Sequence, residues 1–116
     1  VVLKNNEYID TKIKKIILED DEKQEDIRKF CNEFLDFLQK NEIEKIFIKK
    51  RAKKGNFSGG AVTFKMEGLI QLNPLCSVEL ISTQTVSTFE KKNQIQFPKE
   101  LNKYQEQAYL TALCNL

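Results

Sequence analysis

Residues 43–72 have the sequence IEKIFIKKRAKKGNFSGGAVTFKMEGLIQL and contain the clearest local indications of how the chain folds. The segment 43–48 is short and rich in β-branched and aromatic side chains, which is typical of a buried strand. Cations and glycines follow it and indicate a loop. Residues 61–72 are then apolar on most sides and end at Asn73-Pro74, which predicts a buried helix. A strand followed by a loop and a helix favours an α/β fold.

A hairpin and a helix are predicted before this stretch. Residues 1–4 and 7–18 are β-prone and flank Asn5-Asn6, a pair suited to a two-residue hairpin turn because Asn tolerates positive φ. Over residues 21–40 apolar side chains recur three and four positions apart, with acids in the first turn, as in an amphipathic helix. An antiparallel hairpin and a long helix therefore open the chain.

The elements after this stretch complete the predicted fold. They are a strand at 77–81, a helix from Ser82 or Thr83 to about Lys92, and a last helix from about Glu100 to Leu113. The order ββαβαβαα implies one domain over residues 1–116, with a mixed sheet and helices on its faces. Because Val1 to Leu3 look like the middle of a strand and no initiator Met precedes them, we expect a first strand to be absent from this chain.

Composition excludes several classes of function. The 116 residues contain no His, which removes Ser-His and Cys-His nucleophile pairs and HExxH zinc sites. The three cysteines lie far apart, without CxxC spacing, and are predicted to be small buried side chains in a reducing compartment. There is no apolar run of membrane-spanning length and no leader at the start, so the expected location is cytoplasmic, with no membrane partner.

Positive charge is concentrated at one predicted strand end. Residues 1–48 have a net charge of −3 and residues 49–116 a net charge of +5. Ligands of open α/β sheets usually bind at the carboxyl ends of strands, and the start of the helix after 77–81 is a natural anion site. We therefore predict that phosphates of a nucleic acid or another polyanion bind here, unless the loop is charged only for solubility. The predicted contacts are Lys49, Lys50, Arg51, Lys53 and Lys54, bordered by Ser82 and Thr83.

One lysine of the predicted helix 61–72 does not fit the helical pattern. At 100° per residue, Lys65 falls among apolar residues such as Leu69 and Leu72. A lysine on a buried face is costly unless its ammonium finds a partner. We expect Lys65 to reach the same bound anion or a buried carboxylate, or else the predicted phase of the helix is wrong by one residue.

Carboxylates are too scattered after residue 48 to predict a metal site. Two-metal hydrolysis needs converging carboxylates, but the chain has no Asp after Asp36. Glu67 and Glu106 are the candidates for catalytic groups. No cofactor is predicted, except Mg²⁺ if the chain is a nuclease.

Three segments together resemble a family of small, uncharacterised bacterial proteins. They are FIKKRAKKGNFSGGAVTFKMEGLIQL at 47–72, VELISTQTV at 78–86 and KYQEQAYLTA at 103–112. That family is in turn similar to the RNase H-like superfamily, in particular to Holliday-junction resolvases. The resemblance implies an RNase H-like mixed sheet with helices on both faces.

The same resemblance locates the metal-binding acids of resolvases on this chain. One would lie on the absent first strand, one near Lys49 or Lys50, and a pair in the segment 104–107, where Glu106 is the one acid retained. The resemblance therefore implies the fold and polyanion binding more than nuclease activity. A lysine at a former metal position would replace the charge of the metal and convert a cleaving site into a binding one.

Three functions follow from the sequence. The first is a resolvase-like protein that binds nucleic acid or another polyanion, with Lys65 supporting the basic strand end. The second is a metal-dependent nuclease of the Holliday-junction resolvase type, completed by Glu67 or Glu106. The third is a non-catalytic protein-interaction module. The sequence also leaves open a homodimer.

Overall fold

The computed structural model describes residues 1–52 and 60–116 and has a mixed α/β fold, as predicted. Its strands and helices follow the predicted order, with a short 3₁₀ turn added before the last helix. They are β1 (Val2–Lys4), β2 (Glu7–Ile9), α1 (Gln24–Lys40), β3 (Lys45–Lys49), α2 (Ala61–Gln71), β4 (Ser77–Ile81), α3 (Thr83–Lys92), the 3₁₀ turn (Lys103–Gln105) and α4 (Glu106–Leu113).

The first two strands form the predicted hairpin. Asn5 and Asn6 both have positive φ, 51° and 68°, as a type I′ turn requires. The antiparallel register pairs Val2 with Ile9 and Lys4 with Glu7. The second strand was predicted to continue to residue 18 but ends at Ile9, because β1 offers only three residues to pair with.

The strands form two sheets among the described residues, where one mixed sheet was expected. One sheet is the β1–β2 hairpin and the other is the parallel pair β3–β4. A backbone hydrogen bond of 2.8 Å from Lys50 N to Ile81 O lies where both strands of the parallel pair end. The RNase H-like topology stays a prediction.

The chain divides into two compact units. The first unit comprises Val1–Lys14, Phe47–Lys50 and Glu79–Leu116, and the second comprises Lys15–Ile46 and Arg51–Val78. The prediction of a single domain over residues 1–116 remains a prediction.

The core of the first unit is formed where β4, α3 and α4 meet. Ile81, Val86 and Leu110 are buried there, and Leu110 has no exposed surface. The surrounding apolar side chains are Phe47, Ile95, Phe97 and Cys114. Burying each large apolar side chain contributes about 1.5–3 kcal/mol, so this cluster stabilises the end of β4 and the start of α3.

The last helix begins later than predicted. Asn102 and Gln105 form a reciprocal capping box, in which the Asn102 N–H donates to Gln105 Oε1 at 2.9 Å. This cap begins the 3₁₀ turn at Lys103, and α4 starts at Glu106 instead of about residue 100. The cap explains the difference because it fixes where helical backbone starts.

The core of the second unit is built on α1. Phe30 and Leu38 of this helix are buried, together with Leu18, and the rings of Phe30 and Phe34 lie 6.3 Å apart. The helix starts at Gln24 instead of residue 21. The Asp20 carboxylate accepts a hydrogen bond from the Glu22 N–H at 3.0 Å, which holds the preceding residues in a turn.

Two burial predictions were wrong. Helix α2 was predicted to be buried, but none of its residues is, and Leu72 just after it is 79 % exposed. The apolar composition of α2 predicts that its surface is better buried, but it does not show whether another element of the fold packs against that surface. The three cysteines are free thiols and are half-buried instead of buried.

Candidate functional site

The carboxyl ends of β3 and β4 lie side by side in the first unit. Besides the backbone hydrogen bond between Lys50 and Ile81, Thr83 Oγ1 donates to the Lys50 carbonyl at 3.0 Å. The two strands are parallel, so the residues that follow them emerge at the same edge. The structure therefore brings together Lys49, Lys50, Ser82 and Thr83, four of the residues predicted from the sequence.

Lys49 is held in place by a residue of the last helix. Its ammonium donates a hydrogen bond of 2.6 Å to Oε1 of Gln107. The Gln107 carbonyl in turn accepts a hydrogen bond of 2.7 Å from Thr111 Oγ1, one turn further along α4. Because the Gln107 side chain is neutral, it orients the ammonium and leaves its full positive charge in place.

Positive charge at this edge is not neutralised by nearby acids. Lys50 follows Lys49 along the chain and is exposed, whereas the predicted contact Arg51, also exposed, belongs to the second unit. The salt bridges within residues 1–52 and 60–116 include Lys14–Asp10, Lys40–Asp36 and Lys65–Asp21, and none of these involves Lys49 or Lys50. Their charges therefore remain available to an anionic ligand.

Ser82 begins α3 at this edge. Its Oγ accepts a hydrogen bond from the Thr85 N–H at 3.1 Å and lies 2.6 Å from Thr85 Oγ1. Ser82 is thus the N-cap of the helix, and the first turn of α3 has no acidic residue. The positive end of the helix dipole adds to the charge of the lysines. The side chains of Ser82 and Thr83 form hydrogen bonds with Thr85 and Lys50, so their role here is to hold the edge in place.

The structure does not place the other predicted lysines at this edge. Lys65 belongs to the second unit, where its ammonium donates to the Asp21 carbonyl and lies 3.8 Å from the Asp21 carboxylate. The prediction that Lys65 lies on a buried face is wrong, because its side chain is 44 % exposed, although a carboxylate was one of its two expected partners. Lys53 and Lys54 lie outside the described residues.

The candidate catalytic carboxylates are on different helices, in different units. Glu67, in α2, and Glu106, at the start of α4, are half-buried and belong to different units. Over the described parts of the chain, no group of three or more Cys, Asp or Glu side chains is placed to hold a metal ion. Where the resemblance implies carboxylates, the structure has an ammonium bonded to an amide, so these residues do not fit a Mg²⁺ ligand set.

An aromatic cluster and Gln107 were not predicted from the sequence. The Tyr109 ring lies 6.1 Å from Tyr8 and 5.9 Å from Phe97. Desolvation raises the pKa of Tyr8, and the nearby Glu100 carboxylate and Tyr104 raise it further. Gln107 is adjacent to the predicted candidate Glu106, but no local pattern indicates a bond to a residue 58 positions away.

Comparison with known proteins places the chain in a family. Neither the curated proteins nor the solved structures include a significant match to it. Among the residues that the structure describes, no helix combines the length and the apolar character needed to cross a membrane. One family model, described as "Protein of unknown function (DUF3010)", matches residues 2–115. Because this match covers nearly the whole chain, the protein belongs to the DUF3010 family, which agrees with the uncharacterised family that the sequence resembles.

Proposed function

We propose that this protein binds the phosphate groups of a polyanion, with nucleic acid as the expected class, at the carboxyl ends of β3 and β4. The single observation that supports this most is the hydrogen bond between Lys49 and Gln107. It fixes a cation at the strand end without neutralising it. Lys50, next in the chain, and the N-terminus of α3 supply further positive charge at the same edge.

A neutral partner for Lys49 favours ligand binding over a structural ion pair. Had residue 107 been acidic, its carboxylate would neutralise the Lys49 ammonium and weaken the attraction of this pair for an anion. With Gln107, the ammonium keeps two further N–H donors, which suit phosphate oxygens. The side-chain amide of Gln107 also has N–H donors for a neighbouring oxygen. The pair therefore presents several donors to one phosphate group.

The number of cations at this edge determines how strongly and with what salt dependence a polyanion should bind. Each lysine–phosphate contact adds about 0.9 to the slope of log affinity against log salt concentration on duplex DNA. Lys49 and Lys50 of the first unit account for two such contacts. We therefore expect weak, strongly salt-dependent binding with little sequence preference, because contacts to phosphates do not read base identity.

The test is a titration of fluorescently labelled single-stranded, duplex and branched DNA, single-stranded RNA and inorganic polyphosphate at several salt concentrations. The expected result is saturable binding with a salt slope of about 2 on duplex DNA. Equal binding of polyphosphate would identify a general polyanion site, whereas tighter binding of one nucleic acid would identify that class. No binding of any probe at low salt would overturn the proposal.

The nuclease alternative is tested on the same substrates. Labelled branched DNA is incubated with protein and Mg²⁺, with and without a chelator, and the products are separated by size. Our proposal expects intact DNA and binding that is unchanged by the chelator. Cleavage that requires the metal and is lost in Glu67→Gln or Glu106→Gln would establish the nuclease instead.

A further inference from the structure

The segment 14–20 of the chain has the exposure pattern of an extended strand, although it belongs to neither sheet. Its side chains alternate strictly between more and less exposed positions, and Ile17 is 56 % exposed while Leu18 next to it is buried. Alternation with a period of two is the pattern of extended backbone. Isoleucine at 16 and 17 also has a high preference for strands.

The backbone of residues 16–18, in the middle of this segment, is available for pairing. Ile16, Ile17 and Leu18 form no backbone hydrogen bond with any residue in the described ranges. An extended segment with unpaired N–H and C=O groups and an exposed Ile is a template for another strand. In a folded protein such groups are bonded to water or to a partner.

The sequence around Ile17 is complementary to itself in the antiparallel direction. When two copies pair about a two-fold axis at Ile17, Lys15 of each copy lies opposite Glu19 of the other, and Ile17 lies opposite Ile17. The exposed face then has an apolar pair flanked by two opposite-charge pairs. On the other face, Ile16 of each copy lies opposite Leu18 of the other. Opposite charges and β-branched residues are favourable cross-strand pairs.

We infer that the protein forms a symmetric homodimer by antiparallel pairing of residues 15–19 with the same residues of a second copy. A second copy is the occupant that the charges select, because a parallel arrangement would place Lys15 opposite Lys15 and Glu19 opposite Glu19. The interface is isologous, as is usual for two-fold dimers. It is short, so we expect a reversible dimer that dissociates on dilution.

The test is sedimentation velocity on the full chain over a wide range of concentrations. The expected result is a monomer at low and a dimer at high concentration. Ile17→Lys should abolish the dimer, since it places two ammonium groups on the two-fold axis, and the exposed position should leave the fold and its circular dichroism unchanged. Leu72→Lys makes the same change at another exposed apolar residue and should leave the dimer intact.

Charge exchange tests the antiparallel register. Lys15→Glu and Glu19→Lys should each weaken the homodimer, and the double variant Lys15→Glu/Glu19→Lys should restore it. A monomeric wild type at all concentrations would overturn the inference. A dimer that survives Ile17→Lys, is lost in Leu72→Lys, or is not restored in the double variant would overturn it as well.

Discussion

The ammonium of Lys49, at the end of β3, donates a hydrogen bond of 2.6 Å to the side-chain oxygen of Gln107 in α4. This bond joins the last helix to the edge where β3 and β4 end. Its importance lies in the neutrality of the amide, which positions the cation and preserves its charge. The proposed polyanion site depends on that combination.

Replacing Gln107 by Glu should weaken polyanion binding without lowering stability. The new carboxylate would pair with Lys49 and neutralise it, so we expect the salt slope on duplex DNA to fall by about 0.9. The melting temperature should not fall, because the hydrogen bond, which the ammonium already makes charge-assisted, becomes an ion pair. The measurements are a salt-dependent titration with labelled DNA and a thermal melt.

Gln96→Glu is the matched control for this change. Gln96 is exposed in the loop before α4, so its replacement adds the same charge without touching Lys49. If Gln107→Glu and Gln96→Glu lowered affinity equally, the effect would come from net charge, and the role of Gln107 would be refuted. Unchanged affinity in Gln107→Glu, with the wild type still binding, would refute that role and leave the proposed function standing.

Removing the N-cap of α3 should destabilise the protein. In Ser82→Ala the Thr85 N–H loses its acceptor, and the loss of such a cap costs about 0.5–2 kcal/mol in the free energy of unfolding. Ser87→Ala, in the exposed interior of the same helix, should be neutral or slightly stabilising because Ala is the better helix former. Urea denaturation compares the two. Equal effects would contradict the assignment of Ser82 as a cap.

Truncating the core of the first unit should cost far more than truncating an exposed leucine. Leu110 is fully buried against Ile81 and Val86, so we expect Leu110→Ala to lower the free energy of unfolding by about 2–5 kcal/mol. Leu72→Ala, at a position that is 79 % exposed, should change it by about 0.5 kcal/mol or less. Chemical denaturation of both variants measures the difference. Similar losses would show that this core is placed wrongly.

The phenol of Tyr8 should lose its proton at a higher pH than an ordinary tyrosine. Desolvation and the carboxylate of Glu100 both raise its pKa. In Glu100→Gln the pKa should move back toward the ordinary value, as monitored by NMR of the Tyr8 ring during a pH titration. Lys99→Gln changes a neighbouring exposed charge and serves as the control. A pKa of Tyr8 that does not respond to Glu100→Gln would contradict the influence of this carboxylate on the phenol.

The same pKa has a consequence for stability. A raised folded-state pKa means that the folded protein retains the phenol proton better than the unfolded chain does. The contribution of the Tyr8 phenol to the free energy of unfolding is therefore fully present below pH 10.0, the ordinary pKa, and is lost as the pH rises through the raised pKa. Because Glu100→Gln moves the folded-state pKa of Tyr8 back toward its ordinary value, less stability is lost when the phenol ionises, and alkaline unfolding should begin at a higher pH in Glu100→Gln than in the wild type.

Local chemistry made several elements predictable from the sequence. The positive φ angles of Asn5 and Asn6 are what Asn tolerates, and the hairpin turn was predicted on that basis. The apolar period of α1 and the position of Ser82 after a strand likewise predicted a helix and a helix start. These features depend on a few neighbouring residues, which the sequence displays directly.

Features that depend on distant partners were not predictable. The second strand ends at Ile9 because its partner β1 has only three residues to pair with it. The exposure of α2 was not predictable because the apolar composition of a helix does not show whether another element covers it. The sequence indicated Lys49 as a site residue from its position after a strand, but it did not indicate Gln107. Lys65 was predicted to lie on a buried face, but that face is exposed at Lys65 and Leu72. No local pattern indicated its partner Asp21, which lies 44 positions earlier in the chain.

Reversing the charge of Lys49 and Lys50 is the most direct test of the proposed site. Lys49→Glu/Lys50→Glu should abolish binding of labelled duplex DNA at a salt concentration where the wild type binds. Lys91→Glu/Lys92→Glu makes the same change in net charge at the far end of α3, about 13 Å along the helix from Thr83, and should retain binding. Circular dichroism confirms that both variants are folded. Binding that persists in Lys49→Glu/Lys50→Glu, or that is lost equally in both variants, would contradict the account.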